Sequence, residues 1–169
     1  MAATLEKNLA RNVRSDPVSG LSCRPPCAVQ PHDSVAHVVR EMTARGVGCA
    51  LVLDDAGGPG DPPGHLIGIF TESDFLARIV ALGRDVDLAV RHVMTPAPRS
   101  ISATGSVLEA IELMDGGHYR HLPVLGPDDR VIGVVSLKDI IHYLVEYFPA
   151  AVYNLPPTPM QAQPAREGA

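Results

Sequence analysis

One segment of this 169-residue chain is written twice, and any fold it adopts must use that unit twice. Residues 28–53 (AVQPHDSVAHVVREMTARGVGCALVL) align with residues 100–125 (SISATGSVLEAIELMDGGHYRHLPVL) at an offset of 72. Val35, Val38, Val39 and Met42 then fall on Val107, Ala110, Ile111 and Met114. Leu66 to Asp74 (LIGIFTESD) aligns with Val131 to Asp139 (VIGVVSLKD) at an offset of 65, so the first copy carries a loop seven residues longer. A supersecondary unit repeated in this way cannot bury its apolar face alone and stacks on its neighbour. The expected result is a pseudo-twofold domain with clefts between its halves.

Each copy reads strand, helix, strand, strand, helix. In the first, Ala28 and Val29 are extended, and apolar residues at helical spacing predict a helix from about Ser34 to Arg45. Cys49 to Leu53 and Leu66 to Phe70 read as strands joined by a long, flexible, turn-rich connection (DDAGGPGDPPGH). In the second, Ser106 and Glu109 form a capping box at a helix start. Gly126, Pro127 and Asp128 turn the chain between His121–Leu125 and Arg130–Val135. Helices follow each last strand, at Glu72 to Leu82 and Leu137 to Tyr147. The organisation is therefore a leader (1–23), a first motif (24–83), a linker (84–98), a second motif (99–148) and a tail (149–169). The tail's Pro, Gln and Ala content predicts disorder from about residue 156.

Composition excludes several classes. A net charge of −5 and a pI of 5.7 leave no basic face for a phosphate backbone, which argues against nucleic acid as a partner. No apolar run reaches the roughly 20 residues of a membrane span. Acidic Glu6 and polar Asn8 fall where a signal peptide needs its apolar stretch, so a cytoplasmic protein is expected. Cys23, Cys27 and Cys49 are odd in number and lack zinc-ligand partners at short spacing. Cys49 reads as a small buried hydrophobe. His118 and His121 are three apart but have no third metal partner, and His142 and Tyr143 read as packing residues on an apolar helix. No Ser or Cys sits in a glycine elbow, so no active site is expected.

After its last strand each copy carries Gly, two apolar residues, a hydroxyl, two variable residues and Asp: Gly68, Thr71, Asp74 and Gly133, Ser136, Asp139. A hydroxyl followed three residues later by an acid is first a helix-capping box. The same geometry suits a nucleotide. A helix amino terminus favours phosphate, and an ionised carboxylate accepts hydrogen bonds from the vicinal hydroxyls of a ribose.

The pattern resembles a tandem cystathionine β-synthase (CBS) domain pair, or Bateman module, over about residues 24–148. VMTPAPRSISATGSVLEAIELMDGGHYRHLPVL followed by VIGVVSLKDII carries the likeness. It implies an α/β (α+β) fold of two β-α-β-β-α motifs related by a pseudo-twofold, with two clefts that take adenosine-containing ligands. AMP, ADP and ATP head that list, with S-adenosylmethionine or a cyclic dinucleotide as further possibilities. Carried over by motif, one site combines Thr71, Ser73 and Asp74 with Ser100, Tyr119, Arg120 and His121. Ser100 and Tyr119 would face the base, Asp74 the ribose, and Thr71, Arg120 and His121 the phosphates. The other combines Ser136, Lys138 and Asp139 with Ala28, Val47 and Gly48. Where copy two has Tyr-Arg-His, copy one has Val47, Gly48 and Cys49, leaving Lys138 as the local cation, so Arg120 favours the first site.

The function expected is a stand-alone, non-catalytic sensing module that passes ligand occupancy to a protein partner the sequence does not name. The alternative is a ligand-free assembly module. A homodimer is expected in either case. Phe75, Leu76, Ile79, Val80 and Leu82, with Ile140, Ile141, Leu144, Val145 and Phe148, carry apolar surface beyond one helix face.

Overall fold

The computed structural model describes residues 7, 11–21, 23–54 and 64–148. The long loop of the first copy, the tail and most of the first ten residues lie outside this set, and with them the expectations of flexibility and disorder. In the first copy, β1 (Ala28–Val29) leads to α1 (Val35–Arg45), β2 (Cys49–Leu53), β3 (Leu66–Thr71) and α2 (Glu72–Asp74). A π-helix, Phe75–Val80, continues α2. After β4 (Thr95–Pro96), the second copy runs β5 (Ile101–Ser102), α3 (Val107–Gly117), β6 (His121–Leu125), β7 (Val131–Ser136) and α4 (Leu137–Tyr147).

The two sheets share one register. β1 runs parallel to β2 with Val29 opposite Val52, and β5 runs parallel to β6 with Ile101 opposite Val124. The antiparallel pairs begin with Cys49 opposite Thr71 and His121 opposite Ser136, and both shift register one residue before their last pair. All these pairs are related by the 72 and 65 offsets of the sequence. The α/β fold of two β-α-β-β-α motifs is therefore present as read.

The repeat reaches further back than its legible part. Leader and linker each form a one-turn 3₁₀ helix, Val18–Gly20 and Val90–His92, again 72 apart. Each docks on the copy it does not introduce. Val18 N–H donates to Gly105 O, and Val107 N–H donates to Asp16 O, so the leader packs on the second motif with Val13, Val18 and Leu21 in its core. Val90 N–H donates to Asp33 O, and Val35 N–H donates to Leu88 O, placing Val90 and Val93 in the core of the first. The next residues complete the exchange: Thr95 pairs with Ile69 on β3, and Arg24 bridges Val134 on β7.

This crossing explains the motif glycines. A Cβ on Gly68 would lie 2.3 Å from Met94 Sδ, and one on Gly133 would lie 3.2 Å from Cys23 Cβ. A third cluster, with Cys49, Leu51, Leu53, Ile69 and Val134 buried together, joins the halves. Burial of such apolar area is the main term holding them.

Local details differ from the sequence reading in three places. Ser106 accepts from Glu109 N–H, but the reciprocal bond of a full capping box is not made; full boxes close at Thr71/Asp74 and Ser136/Asp139. The first post-motif helix changes to π geometry after one turn, where the sequence predicted a regular helix. His142 is not a packing residue: it is exposed and lies 3.6 Å from Glu146 one turn on. Tyr143, by contrast, is buried, with its hydroxyl donating to Asp16.

Candidate functional site

Two clefts open between the copies. The larger, about 1120 Å³, is lined by Val47, Gly48, Ser136, Lys138 and Asp139 together with Arg24, Glu72, Arg120 and His121. The smaller, about 330 Å³, is lined by Thr71, Ser73, Asp74, Tyr119, Arg120 and His121, with Arg99 and Thr95. Each motif thus contributes to both, and eleven of the thirteen residues read from sequence line one cleft or the other. Ala28 and Ser100 line neither.

Arg120 lines both clefts, so it is not confined to the Asp74 side, although its guanidinium bonds there as the sequence implied. Its guanidinium crosses from copy two to donate to Ser73 Oγ at 2.8 Å. Nor is Lys138 alone on the other side, because the leader's exchange brings Arg24 there. Arg24 and Arg99 were not read from sequence, since their positions follow from the crossing of leader and linker; Glu72, next to Thr71 at the start of α2, was not read either.

The two acids share one local geometry and differ beyond it. Asp74 Oδ2 accepts from Thr71 N–H at 2.9 Å and Thr71 Oγ at 2.7 Å. Asp139 Oδ2 accepts from Ser136 N–H at 2.8 Å and from Ser136 Oγ. Capping is therefore real in both. The remaining oxygen separates them: Asp74 Oδ1 lies 3.2 Å from Arg78 Nη2, whereas among the described residues nothing donates to Asp139 Oδ1. Asp139 is also, among the described residues, the buried polar one, at 8 % exposure. A buried carboxylate with an unused acceptor facing a roomy cleft is suited to receive a hydroxyl.

His121 separates the clefts. A Cβ on Gly48 would lie 3.0 Å from its Nε2, which accounts for glycine where the second copy has Arg120. Burial and the neighbouring Arg120 push the imidazole below its usual value, with Glu72 and Asp139 opposing them. The unfolded chain then binds the proton more readily than the folded one. Stability from this group is complete above the ordinary value of 6.5 and is lost as pH falls through it. The melting temperature is expected to drop from pH 7 to pH 5 and to drop less in His121→Gln; identical profiles would remove His121 from that role.

Among the described residues no group of three or more His, Cys, Asp or Glu is placed to hold a metal. Burial raises the Cys23 and Cys27 thiols and pushes Cys49 up to about 12, so these groups are poor nucleophiles.

Comparison with known proteins bears on the family and the fold. The CBS domain family model matches residues 18–81 and 90–146, beginning at the two 3₁₀ turns. The chain belongs to the CBS domain family. It is 35% identical over 116 residues to a mitochondrial CBS domain-containing protein of Arabidopsis thaliana, covering 67% of this chain and 53% of that protein. An uncharacterized 17.7 kDa protein of Acidianus ambivalens is 27% identical over 118 residues, covering 70% of this chain and 66% of that one. The chain thus spans roughly half to two thirds of the length of these two relatives. Among solved structures, a CBS domain protein of Pyrobaculum aerophilum complexed with AMP superposes with a TM-score of 0.66 at 26% identity. The match covers 77% of this chain and 98% of that one.

Proposed function

We propose that this CBS pair is a regulatory module that binds an adenosine-containing ligand in the Asp139 cleft and passes its occupancy to a protein partner. The observation that carries this is Asp139 itself, capping α4 with one oxygen and offering the other to a cleft of about 1120 Å³. The ribose hydroxyls donate to Asp139 Oδ1, and the phosphates lie toward Ser136, Lys138 and the amino terminus of α4. Arg24 supplies further positive charge. The AMP complex of the Pyrobaculum protein supports AMP, ADP or ATP as the class, with S-adenosylmethionine and cyclic dinucleotides to be compared beside them. Among the described residues no helix is long and apolar enough to cross a membrane. We place the module in the cytoplasm, acting by binding rather than catalysis. Calorimetry on ligand-stripped protein with AMP, ADP, ATP, S-adenosylmethionine and a cyclic dinucleotide is expected to give saturable heat with at least one. Silence from all at millimolar concentration would end the sensing reading.

The module is also proposed to be a homodimer. Leu76, Val80, Ile141 and Tyr147, and Leu82 in the turn past the π-helix, are each more than half exposed, while Ile79 and Ile140 on the same helices are buried. Apolar side chains left outside on two helices form a surface that a second copy covers through a closed twofold. Light scattering is expected to give twice the 17.9 kDa chain mass at micromolar concentration. A single-chain mass throughout would refute the dimer.

A further inference from the structure

The two clefts carry the same motif, yet one of them is already occupied from within. Arg78 reaches Asp74 Oδ1 at 3.2 Å, Val93 O at 2.8 Å and Thr95 Oγ at 2.9 Å. Thr71 holds the other Asp74 oxygen. Both carboxylate oxygens are therefore engaged, and the positive charge a ligand would meet at Asp74 has been spent on it. Ser73, beside it, is taken by Arg120 at 2.8 Å. The cleft that remains is about 330 Å³, at the bottom of the roughly 300–1,000 Å³ range of small-molecule sites.

Copy two shows the contrast in the same register. At the 65-residue offset the counterpart of Arg78 is Tyr143. Its hydroxyl turns away to Asp16 of the docked leader and leaves Asp139 unneutralised. This difference between the copies separates an engaged acid from an open one.

We infer that Arg78 is an internal counterion that closes the Asp74 cleft, so that each chain holds one nucleotide rather than two. Arg78 is a specificity-determining residue: it sets the number of working sites by satisfying the carboxylate that a ribose would need. A salt-bridged, hydrogen-bonded carboxylate is costly to strip of its partner, because the half-buried guanidinium, still held by Val93 O and Thr95 Oγ, would lose its counter-charge. This rests on the reading of the Asp139 cleft as a nucleotide site, and the test separates the two.

The experiment is calorimetry with AMP on the full chain and on Arg78→Gln, which keeps a neutral donor for Val93 O and Thr95 Oγ. The wild type is expected to saturate at one AMP per chain and Arg78→Gln at two, the added site disappearing when Asp74→Asn is introduced as well. Two AMP per wild-type chain would overturn the inference, as would one per chain in Arg78→Gln with an unchanged circular-dichroism spectrum. If the wild type binds none and Arg78→Gln binds one through Asp74, the counterion role stands and the Asp139 reading falls. Silence from both sinks both. Should Arg78→Gln not fold, amide shifts of the wild type at saturating AMP decide. Movement at Gly48 and Lys138 with Ser73 and Thr95 still is expected, and saturable movement at Ser73 and Thr95 would overturn it.

Discussion

Replacing Leu51 by alanine is expected to cost about 2–5 kcal/mol of folding stability, more than any surface change in the molecule. Leu51 has no exposed surface and lies in the centre of β2, the strand flanked by β1 and β3. Its side chain belongs to the cluster in which Cys49, Leu53 and Ile69 of the first copy meet Val134 of the second. The loss is the transfer energy of the removed methyls plus that of the cavity they leave, which walls fixed by strand pairing cannot close. For a domain of this size about 1 kcal/mol corresponds to roughly 2–4 °C, so a drop in melting temperature of about 6–12 °C is central to the range. Because the cluster joins the two copies, nucleotide affinity is expected to fall with it. A drop of under 2 °C with affinity intact would mean that the halves are not held through this cluster.

Much of this was legible because the chain states its unit twice. The equal registers of β2/β3 and β6/β7 follow from the internal alignment, as does the αL residue that ends each first helix. Gly46 (φ 61°) and His118 (φ 54°) are 72 apart, and only one of them is a glycine. The exchange of leader and linker was harder to read. Val18 and Leu21 match Val90 and Val93 at the same offset, but four apolar residues without a run or a period give no local signal of a strand or helix. Those segments are specified by the partner motif on which they dock, through Gly68 and Gly133, whose missing side chains make room.

The clefts were legible in part for the same reason. Their capping residues are local: each hydroxyl and its Asp are three apart and find one another on any helix start. The cations are not local. Arg120 faces Ser73, 47 positions away, and Arg24 enters the larger cleft only because its segment crosses to β7. Arg78 lay in plain view four residues after Asp74, where an i,i+4 pair is routinely a weak surface contact. What raises it above that is the pair of further acceptors on the linker, Val93 O and Thr95 Oγ, which no single-chain periodicity reveals.

Asp139→Asn is expected to weaken adenine nucleotide binding by about 1.5–3 kcal/mol, or roughly 10- to 150-fold, while leaving the fold in place. The substitution is nearly isosteric, and its Oδ1 can go on accepting from Ser136 N–H and Oγ as Asp139 Oδ2 does now. The cleft-facing atom becomes an NH2 group, which donates and cannot accept from ribose hydroxyls. The loss therefore falls on the ligand and spares the cap, a separation that alanine would not provide because it removes both. Asp74→Asn, at a carboxylate already bound to Arg78 and Thr71, is expected to give the smaller loss of affinity. Titration of the two variants beside the wild type, with melting curves to confirm folding, decides between the clefts. An equal or larger loss from Asp74→Asn would move the nucleotide to the small cleft. No loss from either would mean that the repeated acids cap helices and do nothing more.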